Sequence, residues 1–397
     1  MDTSLIIHFL TIPWVFLLWT TALKSFIFLN IVIIVVSVTV FAERKVSAFI
    51  QDRIGPNRVG IPLTLLGAKK DSFFWGLGQM VADPIKLLTK ENFVPAGVNK
   101  FYFWLAPKLV MIPPILILAV LPFGSTLFGI SMTICSLNIG ILYIFAIASL
   151  SVYGITLAGW ASNSKFPFIG GIRSSSQMIS YELSLGLSIV PVFMICGSLN
   201  LNEIVDWQVT NGWLISPYWP KGLSAASLLH PSDVIHALIA GISIQRLLLW
   251  IPLLVSFIIF TVSIFAETNR LPFDLPEAEQ ELVGGYHTEY ASMNFALFFL
   301  GEYAAMFAGS GAIVSIFLGG WSLPLVPDGS HGFLWGLVNI LAFFAKVSLL
   351  LLFFIWVRWT LPRFRYDQLM KLGWLGFFPI ALGNIFVTAV ILALVHH

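Results

Sequence analysis

The chain has 397 residues, 58% of them hydrophobic and 10% charged, with a net charge of +2 and a mean hydropathy of +0.91. A soluble domain carries about 25% charged residues, so the composition excludes a soluble enzyme. It points to an all-α integral membrane protein, a single polytopic domain over 1–397, whose small net charge says little about partners beyond the lipid bilayer; no nucleic acid is expected among them.

Eight apolar runs are long enough to cross ~30 Å of hydrocarbon as helices of ~20 residues. They fall at about 12–41, 102–124, 137–159, 175–198, 247–266, 293–318, 335–357 and 373–395. The first is long enough for one strongly tilted helix, or for a half-span broken near Lys24. Met1-Asp-Thr-Ser places no basic region ahead of it, so no cleavable signal peptide is expected. The loop that follows, 42–101, carries Phe74, Leu77, Val81, Ile85 and Leu88 at helical spacing, with Asp83, Lys86 and Lys90 between them. This predicts an amphipathic helix at the interface over Ser72–Lys90, although Pro84 works against a straight one. Pro107, Pro113, Pro114 and Pro122 predict a kinked second span, whose freed backbone groups need partners. The long loop 199–246, rich in Trp, Pro and Ser, predicts a short interfacial helix over Val234–Gly241.

Basic residues set the orientation. The loops after spans 1, 3, 5 and 7 hold sixteen lysines and arginines, and those after spans 2, 4 and 6 hold only Lys221 and Arg246. The first set therefore faces the cytoplasm (or a matrix), with both termini on the other side. The spans show no internal repeat.

The segment 267–292 directly follows the fifth span. From Glu267 to Glu289 it holds six acids, Glu267, Asp274, Glu277, Glu279, Glu281 and Glu289, against one fixed base, Arg270. Carboxylates crowded beside hydrocarbon are poorly solvated and repel one another, and both effects move them toward proton exchange near neutrality. A solvated loop could carry the same residues, but Pro272, Phe273 and Pro276 stiffen this one and give it something to bury. Charges within spans normally face a polar interior. Glu182 and Glu302 lie about two turns into spans 4 and 6, Lys346 lies near the middle of span 7, and Glu267 and Glu43 close spans 5 and 1. They read either as structural ion pairs, for instance Glu302 with Lys346, or as a proton path that continues the acidic loop inward. The inward series of carboxylates favours the path.

Cys135 and Cys196 are far apart in apolar surroundings and suggest no disulfide, zinc or iron–sulfur site. The histidines show no metal-ligand spacing, although His287 could titrate within the acidic loop. Gly170-Gly171 and Gly284-Gly285 read as turns or helix contacts. No P-loop, nucleophile elbow or dinucleotide fingerprint is present.

An ordered series of motifs resembles a known family. It comprises Glu43-Arg-Lys-Val-Ser-Ala-Phe-Ile-Gln-Asp-Arg-Ile-Gly-Pro-Asn-Arg-Val-Gly60, Ala82-Asp-Pro-Ile-Lys-Leu-Leu-Thr-Lys-Glu91 and Gly159-Trp-Ala-Ser-Asn-Ser164. Arg173 with Gln177-Met-Ile-Ser-Tyr-Glu182 follows, then Ala266–Glu281, Thr288-Glu-Tyr290, Gly301-Glu-Tyr303 and Trp359-Thr-Leu-Pro-Arg-Phe-Arg-Tyr-Asp-Gln-Leu369. Together these resemble the quinone-site membrane subunit of respiratory complex I, called H in bacteria and chain 1 in mitochondria. The resemblance implies a subunit without a redox centre that forms the membrane part of a ubiquinone or menaquinone tunnel. Quinone is then its substrate, while NADH, FMN and the iron–sulfur clusters belong to partner subunits. Those partners would be the cluster-bearing and quinone-headgroup-binding hydrophilic subunits, small membrane subunits and antiporter-like pump subunits. The tunnel mouth would be framed by span 1, the interfacial helix and span 6. Glu43, Arg44, Arg53, Asp83, Arg173, Arg270 and Asp274 would line or brace the tunnel and its interface. Glu277, Glu279 and Glu281 would lie beneath the quinone cavity, and Glu182, Glu267, Glu289 and Glu302 would complete the proton path. The expected location is a bacterial plasma membrane, with the mitochondrial inner membrane as the alternative. The outer loop is longer than in compact members, and Asp52 stands before Arg53 where many members have another residue.

Two rivals stay open. The anchor subunit of a related hydrogenase or ferredoxin-dependent complex could share the acidic helices without a quinone tunnel; the complete Gln51-Asp-Arg-Ile-Gly-Pro-Asn-Arg58 loop favours the quinone enzyme. A self-contained proton or cation transporter is disfavoured by the absence of repeats.

Overall fold

The computed structural model describes residues 13–59, 74–127, 130–216, 244–323 and 333–396. It is helical almost throughout, and eight of its helical segments are long and apolar enough to cross a membrane. This multi-pass membrane chain thus has the predicted class and number of spans, with shifted boundaries.

Helix α1, Pro13–Ile50, is unbroken through Lys24, whose ammonium donates to the Ser131 carbonyl at 2.8 Å. At 1.5 Å per residue it is about 57 Å long, so it outruns a ~30 Å hydrocarbon layer unless strongly tilted. Helix α2, Gln79–Thr89, contains Pro84 and buries none of its residues; the start of the predicted amphipathic stretch, 72–73, lies outside the described residues. Helix α3, Lys100–Leu118, continues through Pro107, Pro113 and Pro114 and stops short of Pro122, earlier than the hydropathy suggests. A two-stranded hairpin follows, with β1 Thr126–Leu127 paired antiparallel to β2 Ile130–Ser131.

The third span is two helices, α4 Gly140–Ala148 and α5 Leu150–Ala161. Helix α6, Lys165–Cys196, begins ten residues before the expected fourth span, so Arg173 stands on a helix and not at a loop end. Helix α7, Leu201–Asn211, adds an element to the outer loop that hydropathy does not signal. It is capped by Asn200, which accepts from the Asn202 N–H at 3.0 Å. The interfacial helix expected at 234–241 falls outside the described residues. Helix α8, Ile244–Glu267, leads into the acidic segment, which contains the short helix α9, Glu279–Leu282. Helices α10, Ser292–Phe317, and α11, Phe333–Thr360, follow. The last span comprises α12, Tyr366–Lys371, a π-helical stretch Leu372–Phe377, and α13, Phe378–His396.

Helix α10 is the centre of the packing. It contacts α1, α2, α3, α7, α8 and α11, and 67% of its apolar stretch is buried against 17% for the last span. Small residues at Gly301, Ala304, Ala308, Gly311 and Ala312 let neighbouring helices approach. A Cβ added to Gly301 would lie 3.1 Å from the Val110 carbonyl oxygen of α3. Glu302 on this central helix and Arg270 on the segment leading to it are thereby brought inside the bundle.

Candidate functional site

The buried charges meet at Arg270, just past the end of α8. Its Nη1 donates to both oxygens of Glu43, each at 2.9 Å, and its Nε pairs with Glu302 Oε1. Arg358, at the end of α11, pairs with Glu43 Oε1. Tyr303 donates its hydroxyl to Glu43 Oε2 at 2.7 Å, and its ring lies 4.4 Å from the Arg270 guanidinium. The side chains of Arg270 and Glu43 are only 4% and 7% exposed. Two carboxylates and two guanidiniums, contributed by α1, the acidic segment, α10 and α11, therefore neutralise one another where water is scarce. Burial by itself would lower the pKa of Arg270, but Glu302, Tyr303 and Glu43 more than offset that and hold the guanidinium charged.

The acidic segment is not a solvated loop. Gln177 of α6 is wholly buried, and its amide donates to the Ala266 and Phe273 carbonyls, both at 2.8 Å. The Phe364 N–H bonds the Pro272 carbonyl at 3.1 Å, and Arg363 pairs with buried Asp274 at 3.0 Å. Gly170 and Gly285 make the close fit possible. A Cβ on Gly170 would sit 2.8 Å from the Pro276 carbonyl oxygen, and Gly285 adopts φ +65 directly over the same carbonyl, a conformation glycine takes at little cost. Both glycine pairs are thus helix-contact and turn positions, as their sequence context suggests.

Glu277 lies within this packed turn, accepting from the Tyr286 hydroxyl at 3.2 Å. Burial raises its pKa well above the ordinary carboxylate range; Glu302 and Asp274 push the same way, while Arg270 and the Tyr286 hydrogen bond oppose. Burial, then the charge of Glu277, raises Tyr286 in turn. His287 Nδ1 is 3.7 Å from Glu277, yet burial lowers its pKa to about 4, among the rings of Tyr286, Phe295 and Phe299. His287 is therefore neutral at physiological pH, a correction to its expected titration there. Glu281 is exposed and pairs with Arg173 at 2.6 Å across the α6 surface. Glu289 is half-buried and joins none of these ion pairs. Glu279 stands in α9, its side chain outside the described residues.

Two cavities border the charged group. A cavity of about 510 Å³ lies between α1, α2 and α10. Its wall includes Val40, Phe299, Leu300, Arg44, Asp83 and Tyr303, and Arg44 pairs with Asp83 at 2.8 Å, tying α2 to the end of α1. Ser292 holds the other end of α2, donating to the Leu87 and Lys90 carbonyls at 2.9 and 2.8 Å. Arg53 does not line this space; it lies on the exposed turn after α1 and donates to Gln51 at 2.8 Å. A smaller cavity of about 70 Å³ is bordered by Glu267, Glu302, Asn269 and Tyr286 at its polar side and by Pro113, Pro114 and Phe260 elsewhere. It has room for a few waters with polar partners.

Two in-span charges sit elsewhere than expected. Glu182 is on the exposed side of α6, because the buried stripe of that helix runs through Gln177, Tyr181, Ser184 and Ser188 and position 182 is rotated off it. Lys346 does not pair with Glu302. Its ammonium donates to the carbonyls of Leu318 (2.7 Å), Gly320 (2.9 Å) and Ser322 (2.5 Å), beyond the far end of α10, and lies 4.1 Å from the Trp213 ring. The fold adds Gln177, Tyr286, Tyr303, Arg358 and Arg363 to the site. Each lies within or beside a quoted motif, but nothing in the linear pattern says that Arg358 and Tyr303 turn toward Glu43.

A family description named NADH dehydrogenase matches residues 23–389. NADH-quinone oxidoreductase subunit 8 of Rhodothermus marinus is 42% identical over 95% of the chain and 98% of its own length. The second NADH-quinone oxidoreductase H subunit of Geobacter sulfurreducens is 45% identical over 92% and 94%, and the H subunit of Rickettsia typhi 43% identical over 95% of each.

Proposed function

The chain belongs to the family of the NADH-quinone oxidoreductase H subunits, membrane subunits of complex I, and from that premise we propose that it forms the membrane wall of a quinone tunnel and converts charge changes there into proton movement. The observation that carries this reading is Tyr303. It lines the cavity between α1, α2 and α10, and its hydroxyl is bonded to Glu43 within the buried charged group. A quinone entering from the lipid would pass the apolar wall of this cavity, whose volume is in the range of small-molecule sites.

Quinone takes two electrons and two protons to become quinol. In this reading the electrons come from an iron–sulfur cluster of a partner subunit, and NADH and FMN act further upstream in that partner assembly. The residues of this chain do not suit a cluster: it has two cysteines, and among the described residues no group of three or more His, Cys, Asp or Glu is gathered to hold a metal. Its own part is electrostatic. Negative charge arriving in the cavity raises the proton affinity of nearby carboxylates. Glu43 and Glu302 share Arg270, so in this reading a proton taken up by Glu302 leaves the cation to Glu43, and the charged group responds as a coupled unit. Glu277 and the small cavity between Glu302 and Glu267 extend the route, and Glu182 offers an exit on the surface where an antiporter-like or small membrane subunit would dock. Arg173, Glu281 and Arg53 lie on the side suited to the hydrophilic partners. That side would face the cytoplasm of a bacterial cell, with the chain in the plasma membrane.

Tyr303→Phe tests the reading directly. It removes the hydroxyl while keeping the ring under Arg270. Losing a hydrogen bond to a charged group should slow quinone reduction by about tenfold. NADH oxidation with a water-soluble acceptor, which bypasses the cavity, should keep the parent rate per assembled complex. Equal loss in both assays, or none in either, would overturn it.

A further inference from the structure

Lys108 belongs to none of the quoted motifs, and the fold gives it a setting of its own. Lys100, Trp104 and Lys108 succeed one another at four-residue spacing along one face of α3. With Phe101 and Leu105 they line a surface groove of about 290 Å³. Lys100, Phe101, Trp104 and Lys108 are exposed, while Phe103, Ala106, Pro107 and Val110 bury the opposite face. The groove therefore looks away from the protein, on the surface a membrane helix presents to lipid.

Lys108 stands eight residues into this span, about 12 Å along the axis from Lys100. An ammonium at that depth is unfavourable unless it reaches the interface or an anion. Helical side chains lean toward the helix N-terminus, which for α3 is the end at Lys100. Lys108 therefore extends back along Leu105 and Trp104 toward Lys100, its methylene stem against apolar surface. Trp104, together with the edge-to-face pair Tyr102 and Trp160, marks the headgroup level on this side of the chain. No carboxylate lines the groove, and among the described residues neither lysine joins an ion pair. Two cations thus converge at the top of an apolar helix face that continues downward into the hydrocarbon.

We propose that this groove binds an anionic phospholipid, with Lys100 and Lys108 on its phosphodiester and Trp104, Phe101 and Leu105 against its glycerol and upper acyl chains. The occupant must be amphiphilic in the same sense as the groove, charged at the interface and apolar below it. An acidic protein segment would satisfy the lysines but leave the apolar lower groove without a match.

The test uses the intact complex, delipidated and placed in nanodiscs of phosphatidylcholine with a photoreactive phosphatidylglycerol. Phosphatidylglycerol should crosslink to α3, and unlabelled phosphatidylglycerol should compete far better than phosphatidylcholine. Each lysine near an anionic headgroup is worth about fivefold in retention, so Lys108→Gln should lower labelling of α3 about fivefold and Lys100→Gln with Lys108→Gln about 25-fold, while Lys108→Arg keeps it. Unchanged labelling in the double variant, or equal competition by phosphatidylcholine, overturns the proposal. So does a crosslink from this face to a neighbouring polypeptide in place of lipid. Should the double variant fail to assemble, the competition on the parent complex decides by itself.

Discussion

The two ends of α10 handle buried charge in opposite ways. In its first half, Glu302 and Glu43 are balanced by Arg270 and Arg358, with Tyr303 completing the set. Past its other end, Lys346 is held by three backbone carbonyls. The Leu318 carbonyl belongs to the C-cap of α10, where a cation is favoured by the helix as well. The ammonium is engaged by three acceptors that cannot themselves take up a proton. The acid group instead sets two carboxylates against two guanidiniums, with Arg270 shared between Glu43 and Glu302, and in the proposed function it is this group that responds to a change of charge. A charge inside a span is therefore not in itself a sign of proton transfer. What surrounds it decides whether it anchors or switches.

The largest effect should come from removing the shared cation. Arg270→Met leaves Glu302 without its guanidinium and Glu43 with only Arg358, and breaking a buried pair in this way costs about 3–5 kcal/mol. Loss of assembled complex, measured by native gel and thermal unfolding, is the expected result. Lys346→Met instead removes the charge and leaves only carbonyls without a donor, at about 1–3 kcal/mol. Complex should still assemble, with a lower unfolding temperature and near-parent pumping per complex. If Lys346→Met stops pumping while Glu302→Gln does not, the assignment of anchor and switch is reversed.

The pH dependence sharpens the same contrast. His287 is buried neutral with its pKa lowered to about 4 from 6.5. Between those values the unfolded chain binds the extra proton and the folded chain does not. The contribution of this group is thus complete above pH 6.5 and falls away as pH drops toward 4, by on the order of 3 kcal/mol. His287→Phe, which suits the aromatic surroundings, should reduce the acid sensitivity of the segment as read by hydrogen exchange. Glu277 has the opposite sign. Its pKa is raised by burial first and by Glu302 and Asp274 next, so its contribution is complete at low pH and is lost as pH rises through its folded value. Glu277→Gln mimics the protonated form. It should assemble normally, flatten the alkaline side of the stability profile and shift the pH profile of quinone reduction. An unchanged profile would remove Glu277 from the coupled group.

The smallest structural effect is expected at Glu182. It is exposed on α6, so Glu182→Gln should leave the folding of this chain unaltered and lower proton pumping only, measured in vesicles and normalised to assembled complex. Parent-level pumping would make it a surface residue without a role in transfer.

Hydropathy and charge placement determined the class of this protein, the number of its spans and the position of the acid-rich segment, because the bilayer imposes one length and one polarity on every crossing helix. The ordered motifs also pointed to the family. They could not say which way a charged residue faces. In a membrane helix the lipid side is as apolar as the packed side, as the exposed Leu23, Ile27 and Ile34 of α1 and the buried Phe28, Val32 and Val36 beside them show, so periodicity carries little information about direction. Only the packing of α1, α10 and α11 around the acidic segment brought Glu43, Arg358 and Tyr303 to Arg270, residues up to 315 positions apart. The same packing turned Glu182 outward, neutralised His287 by enclosing it, and gave Lys346 to backbone carbonyls instead of to Glu302. Those outcomes depend on which groups a three-dimensional arrangement places within hydrogen-bonding distance and how much water it leaves there, and neither quantity is written in the order of residues along the chain.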